Sequence, residues 1–220
     1  MLVFLIQVNF FSAVWNKSYE KTESIFLSLI ALIIVESFVN LIHSTAFNYY
    51  RTFYLEESYG YNKTNLKTFV TDIIKQTLLS IVVSGIFLYL ISLIMNYFEE
   101  KFIIYSVIFT IIFTIVLLVL YPTVFAPLFN KFENLDTNVE KEKQLKEKIE
   151  KLCTELNFPL THLYKMDGSK RSSHSQAYFF GILHKKKIVV YDTLIEKLQL
   201  EEIVAVVCHE LGHWYYYHNI

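Results

Sequence analysis

FIIYSVIFTIIFTIVLLVLY, Phe102 to Tyr121, contains no charged residue and is long enough as a helix to cross the hydrocarbon core of a bilayer. TLLSIVVSGIFLYLISLIM, Thr77 to Met95, is equally free of charge. Asn96 to Lys101 between them is too short for anything but a tight connection, so the pair predicts a transmembrane helical hairpin. Further upstream, Ile25 to Ile42 predicts a third span interrupted by Glu36. A carboxylate there either points into a protein interior or marks a helix end near the membrane interface. Met1 to Trp15 is apolar but shorter than a full span and lacks the basic start of a signal peptide; a signal-peptide core, a remnant span and a re-entrant helix all fit it.

The composition agrees with this reading. Over 220 residues, 54% are hydrophobic and 17% aromatic, too apolar for an ordinary soluble protein. A net charge of −1 and the lack of any Lys/Arg stripe interleaved with aromatics give no reason to expect nucleic acid as a partner. Membrane lipid is the expected surroundings. Orientation is poorly determined, because Arg51, Lys63 and Lys67 are mixed with Glu56 and Glu57. Cys153 and Cys208 are expected to be reduced core residues, which suits a cytosol-facing or membrane-enclosed domain.

After Tyr121-Pro122 the composition turns to mixed charged and apolar, which predicts a transmembrane helical region over residues 1–121 and a polar domain over 122–220. Asn138 to Asn157 reads as an amphipathic helix, with Leu145, Ile149, Leu152 and Leu156 on one face and Lys and Glu on the other. Leu163 to Met166 and Lys187 to Tyr191 read as strands, with the loop Gly168 to Ser175 and then Ala177 to Gly181 between them. Ala177 to Phe180 is either an edge strand able to hold an extended peptide by main-chain hydrogen bonds or a plain core strand.

Near the carboxyl end stands His209-Glu210-Leu211-Gly212-His213. On a helix, residues four apart share a face, so both imidazoles can converge on one metal, with Glu210 beside them to carry a proton. Glu201 and Glu202 suit a helix N-terminus, and the apolar run Ile203 to Cys208 suits a buried active-site helix. Asn16 and Asn62 stand in glycosylation sequons by pattern. His43, His162 and His184 read as interface or surface residues, and Lys170 and Arg171 as either a solvated loop or partners for a substrate carboxylate.

Taken with Leu55-Glu56-Glu57, Gly60-Tyr61-Asn62, Thr64, Ala126 to Phe132, Gly168 to Ser175, Ala177-Tyr178-Phe179 and Ile188 to Leu194, the motif makes the chain resemble the integral-membrane zinc CAAX prenyl proteases of the Ste24 type, peptidases of the M48 kind. The resemblance runs from about Ser24 to Ile220. It implies a mainly α fold: a multi-span transmembrane helical bundle, with seven helices enclosing a chamber, and a small α+β zinc-metallopeptidase domain. It further implies one Zn2+ held by His209 and His213, Glu210 as catalytic base, and substrate contacts at Gln176, Ala177, Tyr178 and Phe179. The implied substrates are isoprenylated CAAX proteins losing their last three residues, and the implied location is the endoplasmic reticulum and inner nuclear membrane.

The family's third zinc ligand is a glutamate on a later helix, beyond Ile220, so the 220 residues alone are expected to bind zinc poorly and not to cleave peptides. Glu133, Asp167, His174 and Asp192 are possible substitute donors that spacing does not choose among, and His218 on a continued helix would lie half a turn from His209. Gln176 stands where the family has asparagine, and Asn130 where it has aspartate. Two other readings stay open: a non-catalytic membrane protein binding prenylated partners, and an M48-type quality-control protease.

Overall fold

In the computed structural model, which describes residues 2–182 and 185–218, each apolar stretch lies within a longer helix. Helix α1 is Leu2–Thr22, α2 Ile25–Tyr50, α3 Leu66–Phe98 and α4 Phe102–Leu120. Among the described residues three helices have the length and apolarity of a span: Ile25–Glu56, Leu66–Phe98 and Phe102–Phe129. The expected spans at 25–42, 77–95 and 102–121 lie inside them. Hydropathy sees only the apolar run, whereas backbone hydrogen bonding carries the helix on through polar turns. The hairpin forms as expected, its connection a short 3-10 turn at Glu99–Lys101. Of the stretch from Met1 to Trp15, Leu2 onward becomes part of α1, which runs on through the polar residues Asn16 to Thr22 and packs on α2, and Met1 lies outside the described residues.

The chain divides into two compact units, one made of the residues through Tyr54 with Leu66–Leu117, the other of Leu55–Asn65 with the residues from Leu118 onward. In the first unit, α2 begins at Ser24, whose hydroxyl caps the Leu27 amide. Phe87 of α3 packs against Phe109 and Phe113 of α4 at 5.6 and 5.2 Å between ring centroids. Most large apolar side chains of these helices are exposed, Ile34, Phe38, Val82, Ile104 and Leu118 among them, as helices facing lipid require. Glu36 is also exposed, so it does not point into an interior of this unit. Ser37, Asn40, Ser44 and Asn48 of α2 face Gln76, Thr77 and Ser80 of α3 around a polar cavity of about 280 Å³.

The second unit adds α5 (Ala126–Phe129), β1 (Phe132–Asn134), α6 (Glu140–Glu155), β2 (Leu160–Met166), β3 (Ala177–Ile182), β4 (Lys185–Tyr191), α7 (Asp192–Lys197) and α8 (Leu200–Tyr215). Its sheet has the order β1-β2-β4-β3, with β2 parallel to β4 and the outer strands antiparallel to their neighbours. The core lies where one face of the sheet meets α6 and α8: Leu163, Ile188 and Val190 from the strands, Leu145, Ile149 and Cys153 from α6, and Ile203, Val207 and Leu211 from α8. The buried stripe of α6 thus takes Cys153, while Leu152 and Leu156 are only half-buried against it. Burial, then the nearby Glu150, pushes the Cys153 thiol up to about 11, so it stays protonated at neutral pH. Cys208 departs from expectation: it is exposed on the outer face of α8. His184 lies outside the described residues.

One ion pair anchors α6 to the sheet. Glu142, 7% exposed, accepts from Lys165 Nζ at 2.7 Å and from the Asp136 amide at 2.7 Å. Glu142→Gln leaves Lys165 without its counter-charge and is expected to cost about 1.5–3 kcal/mol, read by urea unfolding of the detergent-solubilised chain. The hydrogen bond from Glu142 holds the Lys165 ammonium above its ordinary value. Its stabilisation is therefore complete below the unfolded lysine pKa and lost as the pH rises through the raised folded one. The gap between wild type and Glu142→Gln should close only in strongly alkaline solution.

Candidate metal centre and substrate edge

Helix α8 is built to present two faces. Gln199 and Glu202 form a reciprocal capping box at its start, with the Gln199 amide donating to Glu202 at 2.8 Å. Ile203, Val207 and Leu211, four residues apart, are at most 1% exposed and turn one stripe to the core. By helical phase His209 and His213 fall on the far side. The whole helix is therefore not buried, as its apolar run led one to expect; His209 is exposed, and Glu210 and His213 are half-buried. The two imidazoles lie one turn apart, ring centroids 4.8 Å and planes at 86°.

The helix stops at Tyr215 in a Schellman turn. Tyr217 takes a φ of 57°, its amide donates to Trp214 O and the His218 amide donates to His213 O. This return brings His218 Nδ1 within 3.0 Å of His213 Nδ1, where a continued helix would have carried it away. The contact leaves His213 Nε2 as the ring nitrogen free for a ligand.

Do these residues fit zinc? Paired neutral imidazoles on successive turns are suitable donors, and they supply two positions. Among the described residues no group of three His, Cys, Asp or Glu side chains is placed to hold a metal. The possible substitutes are engaged elsewhere. Asp167 accepts from the Lys131 amide at 2.7 Å, Asp192 from the Ser169 amide at 2.9 Å, His174 stacks on Tyr61 at 4.2 Å, and Glu133 stands opposite Lys165 in the β1–β2 pairing.

Strand β3 is an outer strand of the sheet, at the opposite edge from β1. The Tyr191 amide donates to Gln176 O at 3.0 Å, and from that pair the antiparallel alternation turns the main-chain groups of Ala177 and Phe179 outward. The side chains of Ala177 and Phe179 go to the core, whereas Tyr178 goes to the opposite face; Gln176 itself is exposed. A row of rings ties this edge to the motif helix, Phe179 to Phe158 at 5.8 Å and Phe158 to Trp214 at 5.0 Å.

The sequence reading missed how two of its own motifs meet. Leu55 to Asn65 docks on the Gly168–Ser175 loop: Lys63 N–H and the Thr64 hydroxyl both donate to Arg171 O, the Ser173 amide donates to Tyr61 O, and Asn62 bridges to Ser172. The Asn62 side chain is occupied within this knot, donating to Glu57 and accepting from the Thr64 amide. Arg171 donates to Asn130 Oδ1 at 2.8 Å, so it is a brace within the unit. Gly168 admits no side chain because an added Cβ would stand 2.4 Å from the Tyr191 ring. Only a covariation signal between 55–65 and 168–175 would have exposed this contact in advance.

Apolar spanning helices together with an α+β unit that carries His-Glu-x-x-His on a helix beside an open strand edge define a membrane metallopeptidase. A family model described as CAAX prenyl protease N-terminal, five membrane helices, matches residues 1–131, and one described as peptidase family M48 matches residues 139–220. The chain belongs to the CAAX prenyl protease family of M48 peptidases. It is 35% identical over 208 residues to CAAX prenyl protease 1 of Saccharomyces cerevisiae, covering 94% of this chain and 45% of that one. It is 40% identical over 215 residues to the CAAX prenyl protease 1 homolog of Oryza sativa, covering 94% and 49%. The crystal structure of S. mikatae Ste24p superposes with a TM-score of 0.84 at 36% identity, over 98% of this chain and 51% of that one. The chain thus spans about half the length of these relatives.

Proposed function

We propose that this chain contributes membrane spans and the metal-binding helix of a zinc-dependent endopeptidase that releases the last three residues of isoprenylated CAAX proteins in the endoplasmic reticulum and inner nuclear membrane. The observation that carries the reading is the His209–His213 pair on the open face of α8, with Glu210 beside it. His209 and His213 would hold the zinc, whose bound form polarises the scissile carbonyl and acidifies water. The Glu210 carboxylate accepts the proton of the attacking water and passes it to the leaving amide nitrogen. The outward main-chain groups of Ala177 and Phe179 align the substrate as an added strand, with Gln176 and Tyr178 flanking it. With two imidazoles alone, the 220 residues by themselves should hold zinc weakly and cleave little.

The test uses the chain as it is and the same chain joined to the remaining half of the rice relative. Both are assayed for zinc content and for tripeptide release from farnesylated and unmodified CAAX peptides. Cleavage is expected in the joined protein only, with zinc. Burying much of a 15-carbon chain contributes several kcal/mol, so farnesylation should raise kcat/KM at least about a hundredfold. Equal rates with and without the lipid would favour a quality-control protease, and cleavage that survives metal chelation would refute the zinc role.

A further inference from the structure

The core uses one face of the sheet; the other carries Tyr164, Tyr178, Phe180 and Lys187 around Val189, which is fully buried. Across this face runs the end of the helix Phe102–Phe129, which passes through a π-helical turn at Tyr121–Phe125. Two cavities open between them. One, of about 400 Å³, is walled by Leu118, Tyr121, Tyr178 and Tyr191; the other, of about 480 Å³, reaches Lys131 and Lys187. They share Pro122, Asn130 and Phe180, so an apolar inner compartment adjoins a cationic mouth.

The charges at the mouth are available. Among the described residues neither Lys131 nor Lys187 has an ion-pair partner. The Lys187 ammonium is held 5.7 Å from the Tyr164 ring centroid and 5.8 Å from that of Phe180. Glu133 also borders the opening and lies across β1–β2 from Lys165, so with Lys131 and Lys187 the mouth keeps an excess of positive charge. Inside, burial raises the Tyr178 and Tyr191 phenols, so the inner wall stays uncharged at neutral pH.

We propose that this cleft binds the headgroup of an anionic membrane phospholipid, its phosphate between Lys131 and Lys187 and the upper part of its chains against Leu118, Tyr178 and Tyr191. Three features select a lipid. One wall is the end of the helix Phe102–Phe129, which is long and apolar enough to cross a bilayer; Tyr121, Tyr178 and Tyr191 line the inner compartment and Tyr164 the mouth, the residue type that membrane interfaces favour; and the two lysines match an anionic head. The proposal is independent of the proteolytic reading.

The experiment places the 220-residue chain in phosphatidylcholine nanodiscs doped with either phosphatidylglycerol or phosphatidylcholine bearing a photoreactive acyl chain, and maps the crosslinked peptides. Phosphatidylglycerol is expected to label 118–131 and 178–191 several-fold more than phosphatidylcholine. Lys131→Gln with Lys187→Gln should reduce that labelling to the phosphatidylcholine level, whereas Lys131→Arg with Lys187→Arg, which keeps the charge, should retain it. Equal labelling by the two lipids, loss in the arginine pair as well, or persistence in the glutamine pair would overturn the proposal. So would full competition by glycerol 1-phosphate at the concentration of the lipid, which would make the cleft a site for soluble phosphates.

Discussion

Glu210→Gln is expected to lower kcat for farnesyl-peptide cleavage by about 10²–10⁴ in the joined protein, with zinc content unchanged. The amide keeps the size and shape of the side chain but cannot take a proton from the attacking water. Glu210 is half-buried and lies off the core stripe of α8, so unfolding free energy should move by no more than about 0.5 kcal/mol. Single-turnover cleavage and metal analysis on the same preparation separate the two effects. If kcat stays within tenfold of wild type, Glu210 is not the base; if zinc is lost along with the rate, the residue holds metal or structure.

Leu211→Ala, one position along, should do the opposite. Leu211 has 0% exposure and sits in the core between α8, α6 and the sheet. Removing three carbons from such a site leaves a cavity that costs about 2–5 kcal/mol, a large share of the total stability of a domain. Trp214, packed on Phe158, reports the event, and its fluorescence in a Trp15→Phe background should show the urea midpoint falling sharply. A loss below about 1 kcal/mol would mean that α8 does not pack as described. The two expected results would separate the roles proposed for adjacent letters of one motif: Glu210 for the chemistry, and Leu211, buried in the core, for holding the helix in place.

Much of this was legible beforehand because it is local. Charge-free runs locate Thr77–Met95 within α3 and Phe102–Tyr121 within the helix Phe102–Phe129, and the spacing of Leu145 and Ile149 locates α6. The strands at 163–166 and 187–191 were found two or three residues short, since the mixed residues at their ends carry no alternation signal. Strand β1 went unseen: Phe132–Asn134 is three residues long and owes its extended form to pairing with β2. The short α7 was likewise hidden behind the strand it follows.

By itself the amino-acid order determined the spanning helices, the amphipathic face of α6 and the one-turn spacing of His209 and His213, because each depends on residues within a turn or two of one another. The tertiary structure alone decided that β3 is an edge strand, that Leu55–Asn65 closes over Gly168–Ser175, that His218 returns to His213, and that the back of the sheet carries a cationic cleft. Those features arise from pairings between segments up to about a hundred residues apart, whose partners no local periodicity can name.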